Sequence, residues 1–300
     1  MLILNTRMFT VWLYQIKLLR RDWLVRLFLL VVLLIPVIFY FGKIYLIFTP
    51  AGLSSADPFL FSFLFNSIQP LFIVFMAYDL LKEKLKLTTL DVIYFRPVSN
   101  LDYFAGKALG VITVVMVLNV IVLFMGLFLQ LFWSENPLRW WIYPFYLVTL
   151  TFPTLCFWLG LSMFTGSLMK SKGGTLLILL LIWGISCFYL PEIRHGLLDY
   201  AGREIPNIFS EITGHPFLWP YILHRLAYLF AGVGLGILGI VCCKRKSGNI
   251  KEPAYLLLGD VYCACVRFLR GIGMTRVFGS GMRDGKHTGR YIENTLLHPW

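Results

Sequence analysis

Six apolar runs constrain this chain more than anything else in it: residues 25–48, 58–78, 103–133, 141–169, 175–190 and 218–243. An α-helix needs about 20 apolar residues to cross the roughly 30 Å hydrocarbon layer of a bilayer. Five of the runs reach that length, and the fifth in order, 175–190, is the shortest. Only 14% of the residues are charged against 58% hydrophobic, where a soluble domain carries about a quarter charged residues. The spans show no alternating ten-residue segments, which argues against a β-barrel. The expected fold is an all-α membrane protein with six transmembrane helices.

The net charge is +12, which by itself would also fit a nucleic-acid binder. Its distribution points elsewhere. The first 26 residues, the segment 79–110, the Lys170/Lys172 pair and the chain after Cys243 together hold 22 of the 27 Lys and Arg. If the N-terminus is cytoplasmic, all of these lie on the cytoplasmic side, as the positive-inside rule requires. Both ends are therefore expected inside, with the basic excess facing anionic lipid rather than nucleic acid. The first run is expected to stay as an anchor rather than leave as a signal peptide. The organisation expected is an interfacial helix over 1–24, a six-helix transmembrane domain over 25–243 and a basic cytoplasmic tail over 244–300.

Residues 9–21 place Phe9, Trp12, Leu13, Ile16 and Leu19 at helical spacing, flanked by Lys17, Arg20 and Arg21. This pattern predicts an amphipathic helix in the inner interface, with Trp12 and Ile16 on its apolar side and Arg20 and Arg21 at its basic end. Arg225 lies near the outer end of the last run, of which only 226–243 is uninterrupted, and is expected to snorkel to the interface. Gly232 and Gly236 form a small-xxx-small pair for close helix packing, within the chain or between copies. The loop 191–217 mixes acidic, basic and apolar residues and is expected to form short helices at the outer face. In the tail, 254–269 reads as an interfacial or partner-facing helix.

Chemistry is sparse. The six cysteines form no C-x-x-C pair and are expected to be reduced structural thiols. His195 and His215 are read as loop residues rather than metal ligands. Gly285 and Lys286 superficially resemble a phosphate loop, but Ser280 replaces its first glycine and His287 its Ser or Thr. Within the spans the polar or helix-breaking candidates are Asn66, Gln69, Asn119, Gln130, Pro36 and Pro153. No paired acids or H-E-x-x-H run sit there, so no catalytic residue is assigned.

The segment 79–110 is a charged, helix-prone island between the second and third runs, broken by Pro97. It carries Asp79, Glu83, Lys84, Thr89 and Leu90, then Pro97, Val98 and Ser99, then Gly106 and Lys107. In order and spacing this resembles the integral-membrane subunits of type-2 ABC exporters. Those carry D-x-x-x-E-[KR]-x-x-G-T-L, then P-[VI]-S, then G-K, between spans two and three. The chain departs from that pattern where Leu87 and Thr88 precede Thr89 with no glycine. Its tail is also long for the family. The resemblance covers roughly residues 5–243.

The resemblance implies a permease subunit of the cytoplasmic (inner) membrane, paired with itself or a second permease. It also implies a coupling helix at the island, with Asp79, Glu83, Lys84, Thr89, Leu90, Arg96, Pro97, Ser99 and Lys107 meeting a separate cytoplasmic ATPase. ATP and Mg would then sit on that partner, and 191–217 would form an outer re-entrant segment. The alternative is a polytopic scaffold or assembly factor that docks a partner without transport. The sequence does not identify a substrate.

Overall fold

A computed structural model describes residues 2–41, 53–82, 100–134, 136–169, 172–188, 199–201, 214–215 and 218–242. All of them belong to the first of two compact units, Met1–Ile250. The tail and most of the 79–110 island lie outside the described residues.

The described residues are all-helical, without a strand. The helices are α1 (Leu2–Arg21), α2 (Trp23–Phe41), α3 (Ala56–Lys82), α4 (Asn100–Trp133), α5 (Ile142–Tyr146), α6 (Phe152–Leu168), α7 (Lys172–Phe188) and α8 (Leu218–Cys242). A π-helical turn, Leu147–Thr151, joins α5 to α6 in one continuous rod. Four stretches are long and apolar enough to cross a membrane: Ala56–Met76, Asp102–Phe132, Ile142–Leu168 and Leu218–Cys242. Two further apolar helices, Trp23–Leu34 and Gly173–Cys187, are shorter. This is the make-up of a membrane protein.

The outer faces carry Leu27, Leu30, Leu34 and Ile38 on α2, Val117, Ile121, Phe124, Phe128 and Leu131 on α4, and Leu177, Leu181 and Ile185 on α7, all exposed. Such stripes at three- and four-residue spacing are stable against hydrocarbon but not against water. The opposite faces bury Val25, Phe28 and Val32 of α2, and Val111, Val115, Leu118 and Val122 of α4. Phe28 stacks on Phe72 of α3 at 4.1 Å between ring centroids.

The contacts set directions. Asp57 at the start of α3 meets Ser134 beyond the end of α4, with a 2.7 Å hydrogen bond. Phe61 fills the space beside Gly126, so α3 and α4 run antiparallel. Along α6 and α8, Gly160 meets Gly232 and Met163 meets Gly239, so those two helices run parallel.

The π turn has a local cause. Pro153 has no N–H to give the carbonyl four residues back, and its ring would crowd that carbonyl at Thr149. The backbone relaxes by widening one turn just ahead of it, and the helix then resumes. Pro70 is also accommodated inside α3. Among the described residues there is no cis peptide bond.

Candidate functional site

The polar residues of the spans do not scatter. Asn66 and Gln69, one turn apart on α3, hydrogen-bond each other through Gln69 Nε2 and Asn66 Oδ1. Asn66 Nδ2 also donates to Thr154 Oγ1 of α6 at 3.0 Å and to the Ala201 carbonyl at 3.2 Å. Thr154 Oγ1 donates to the Tyr200 carbonyl at 2.9 Å. From α8, Arg225 Nη1 donates to that same carbonyl at 2.7 Å. Three helices thus direct polar side chains at one short piece of backbone, Tyr200–Ala201. That segment comes from the long connection before α8; Tyr200 is buried and Ala201 half-buried.

Backbone carbonyls outside regular structure must be satisfied wherever water is excluded. Asn66, Thr154 and Arg225 meet that requirement and so hold the segment in place. Tyr200 is 6% exposed, and its ring packs edge-on against Trp158 at 5.4 Å. Burial pushes its phenol above the ordinary tyrosine range, with the neighbouring Cys187 and then Asp199 adding to the effect.

This polar cluster is incompletely satisfied. Gln69 Oε1, Thr151 Oγ1 and Trp158 Nε1 are buried without a hydrogen-bond partner, as are Arg225 Nε and Nη2. Most buried polar atoms find partners, and these five do not. Asn119 and Gln130 belong elsewhere. Asn119 donates back to the Val115 carbonyl of its own helix at 3.1 Å. Gln130 accepts from Tyr143 at 2.7 Å, near the Asp57 end of α3.

Arg225 corrects an expectation. Its place just before the uninterrupted stretch 226–243 predicted a head group in interfacial water, yet it is 2% exposed. The contacts of α8 with α6 and with Tyr200 cover it. The sequence did hold a signal, since an ionisable residue within an apolar run marks a functional position by default.

The helix-packing glycines lie on the other face of α6. A Cβ on Gly160 would collide with the Gly232 carbonyl, and one on Gly232 would come within 2.5 Å of the Cys156 backbone. Gly239 repeats the contact one level on, 2.8 Å from Met163. Gly236 would meet only the Gly160 Cα, at 3.8 Å. The seam therefore runs through Gly232 and Gly239, seven residues apart, and α6 of the same chain occupies it.

The interfacial-helix residues are placed differently from one another. Trp12 Nε1 donates to Thr113 Oγ1 of α4 at 2.9 Å. Gln15, 3% exposed, is pressed onto Gly110, and Val11 onto Gly106. Gly106 and Gly110 are a second small-xxx-small pair, one the sequence reading did not recognise as a packing motif. Ile16 is half-buried, while Arg20 and Arg21 are exposed beside the apolar Phe9, Leu13 and Tyr14. One face of α1 is thus committed to α4, and the other carries an uncovered apolar and basic mixture.

Of the expected coupling residues, Asp79 lies in the last turn and a half of α3. Glu83, Lys84, Thr89, Leu90, Arg96, Pro97 and Ser99 lie outside the described residues. Lys107 is 5% exposed, with its amine 4.6 Å from the centre of the Tyr103 ring. Among the described residues no three His, Cys, Asp or Glu side chains group as metal ligands. No protein-family model matches this chain, and no characterised protein matches it in sequence.

Proposed function

We propose that this chain is the membrane-spanning permease subunit of an ATP-driven ABC exporter in the cytoplasmic (inner) membrane. It would work as a homodimer or heterodimer with a separate ATPase that binds ATP and Mg. The observation that carries this reading is the ordered pattern from Asp79 through Glu83, Lys84, Thr89, Leu90, Pro97 and Ser99 to Lys107 between two long apolar helices.

The helix layout supports it. α6 and α8 run parallel, so a span after α6 must return the chain to the other side before α8. The apolar α7 between them is the candidate, and α2 would complete six spans with both ends inside. α1, seated on Gly106 and Gly110, sits beside the part of α4 that leads out of the island, where a helix contacting an ATPase belongs. Tyr200–Ala201, hydrogen-bonded by α3, α6 and α8, suits a re-entrant cap on a transport path.

The test is isolation of the tagged protein from its native membrane, followed by transport into vesicles. A phosphate-loop ATPase should accompany it, and the paired substitutions E83A and R96A should abolish ATP-dependent transport. Full transport by that double variant would remove the coupling role. A scaffold without transport is the second reading, and it predicts that nucleotide leaves the conformation of the chain unchanged.

A further inference from the structure

We propose that Arg225 anchors an oxyanion-binding site inside the helix bundle, one that takes a carboxylate or phosphate group. Four observations carry it. Arg225 is 2% exposed, within the apolar helix α8. Among the described residues it makes one hydrogen bond, from Nη1 to the Tyr200 carbonyl at 2.7 Å. Nε and Nη2 have no partner. Its guanidinium carbon lies 5.8 Å from the centre of the Tyr221 ring, a contact that eases a cation's burial without neutralising it.

A buried charge is tolerated when a counter-charge and a full set of hydrogen bonds accompany it. One neutral carbonyl supplies neither. Asp199 adjoins Tyr200, and its charge reaches the phenols of Tyr200 and Tyr228, the latter also within reach of the Arg225 charge. The two remaining donors are also the right two. Nε and Nη2 form the side-on edge of the guanidinium, whose parallel N–H groups match two oxygens of one carboxylate or phosphate.

The position adds a reason for function. The Tyr200 carbonyl that receives Arg225 also receives Thr154, and the adjoining Ala201 carbonyl receives Asn66. An anion drawing Arg225 toward itself would loosen its hold on this segment, so occupancy and the placement of Tyr200–Ala201 are coupled. Identifying the occupant as exported cargo, an amphipath with an anionic head group, rests on the permease reading. The anion site itself does not.

The test is thermal unfolding of the full chain in nanodiscs. Four conditions are compared: phosphatidylcholine alone, with phosphatidic acid, with oleate, and with inorganic phosphate in the buffer. Wild type should be stabilised in at least one anionic condition. R225M, which removes the charge but keeps the bulk, should lose that response, with an apparent affinity at least about tenfold weaker. R225K, charged but without the fork, should keep only part of it, and it serves as the comparison if R225M does not fold. A response to either lipid places the anion on an amphipath, and a response to phosphate alone identifies a free ion. Stabilisation that is absent, or as large in the variants as in wild type, overturns the site. No ATPase is present, so failure here and failure of the permease reading are separate results.

Discussion

Helix α6 has two faces that solve opposite problems. Toward α8 it offers Gly160 and the backbone at Cys156 and Met163, and the two helices meet main chain against main chain. Toward α3 and Tyr200 it offers Thr154, with Asn66, Gln69 and Arg225 arriving from other elements. The first face is dry and closely packed. In hydrocarbon, where apolar side chains gain nothing by leaving lipid for protein, such close approach is a principal source of helix association. The second is polar, buried and only partly satisfied, which weakens packing while leaving groups able to change partners. One face therefore fixes the fold, and the other is where a change of state would cost least.

Substitutions can break or sharpen that contrast. The largest effect is expected on the seam. G160V or G232V drives a branched side chain into backbone and should cost about 3 kcal/mol or more of unfolding free energy, measured by denaturant or thermal unfolding in micelles. A loss under about 1 kcal/mol would mean that α6 and α8 are not in such contact. On the polar face, N66L strands the Ala201 carbonyl and should cost about 1–3 kcal/mol. It should also impair function out of proportion to that loss, when both are measured on the same preparation. W12F removes the hydrogen bond to Thr113 while keeping an aromatic ring, and should cost about 1 kcal/mol. Smallest of all, G236A should change stability by no more than about 0.5 kcal/mol, because its Cβ has room at 3.8 Å. A large effect there would place the seam on Gly236 or on a second copy of the chain.

Much of the helical layout was legible in the sequence. The predicted runs 58–78 and 218–243 correspond to helices Ala56–Lys82 and Leu218–Cys242, and 141–169 to the rod from Ile142 to Leu168. Hydropathy fixes such lengths because lipid demands a minimum run of apolar residues. It does not say which face meets protein. α4 is apolar nearly all round, and only Asn119, one turn from Val115, marks the face that separates buried Val115 from exposed Val117. The same blindness hid Gly106 and Gly110 as the seat of α1, and the meeting of Asn66 with Thr154, 88 residues apart. Asn66 and Gln69 stand out as polar in the span, but their targets, the Ala201 carbonyl for Asn66 and the Thr151 carbonyl for Gln69, lie in a patternless connection and in the π turn. Arg225 was misplaced because the end of the apolar run was taken as the end of cover, whereas Tyr200 and α6 extend that cover by packing.

The central proposal is that the island between α3 and α4 docks a separate ATPase. Its most direct measurement is site-specific photocrosslinking in native membranes, with the reactive side chain placed at Glu83 or Arg96 and identified by mass spectrometry. The proposal predicts one dominant protein adduct, carrying a phosphate loop, whose yield changes when ATP is replaced by a non-hydrolysable analogue. Adducts to lipid alone, or to a protein without a nucleotide site and insensitive to ATP, would contradict it.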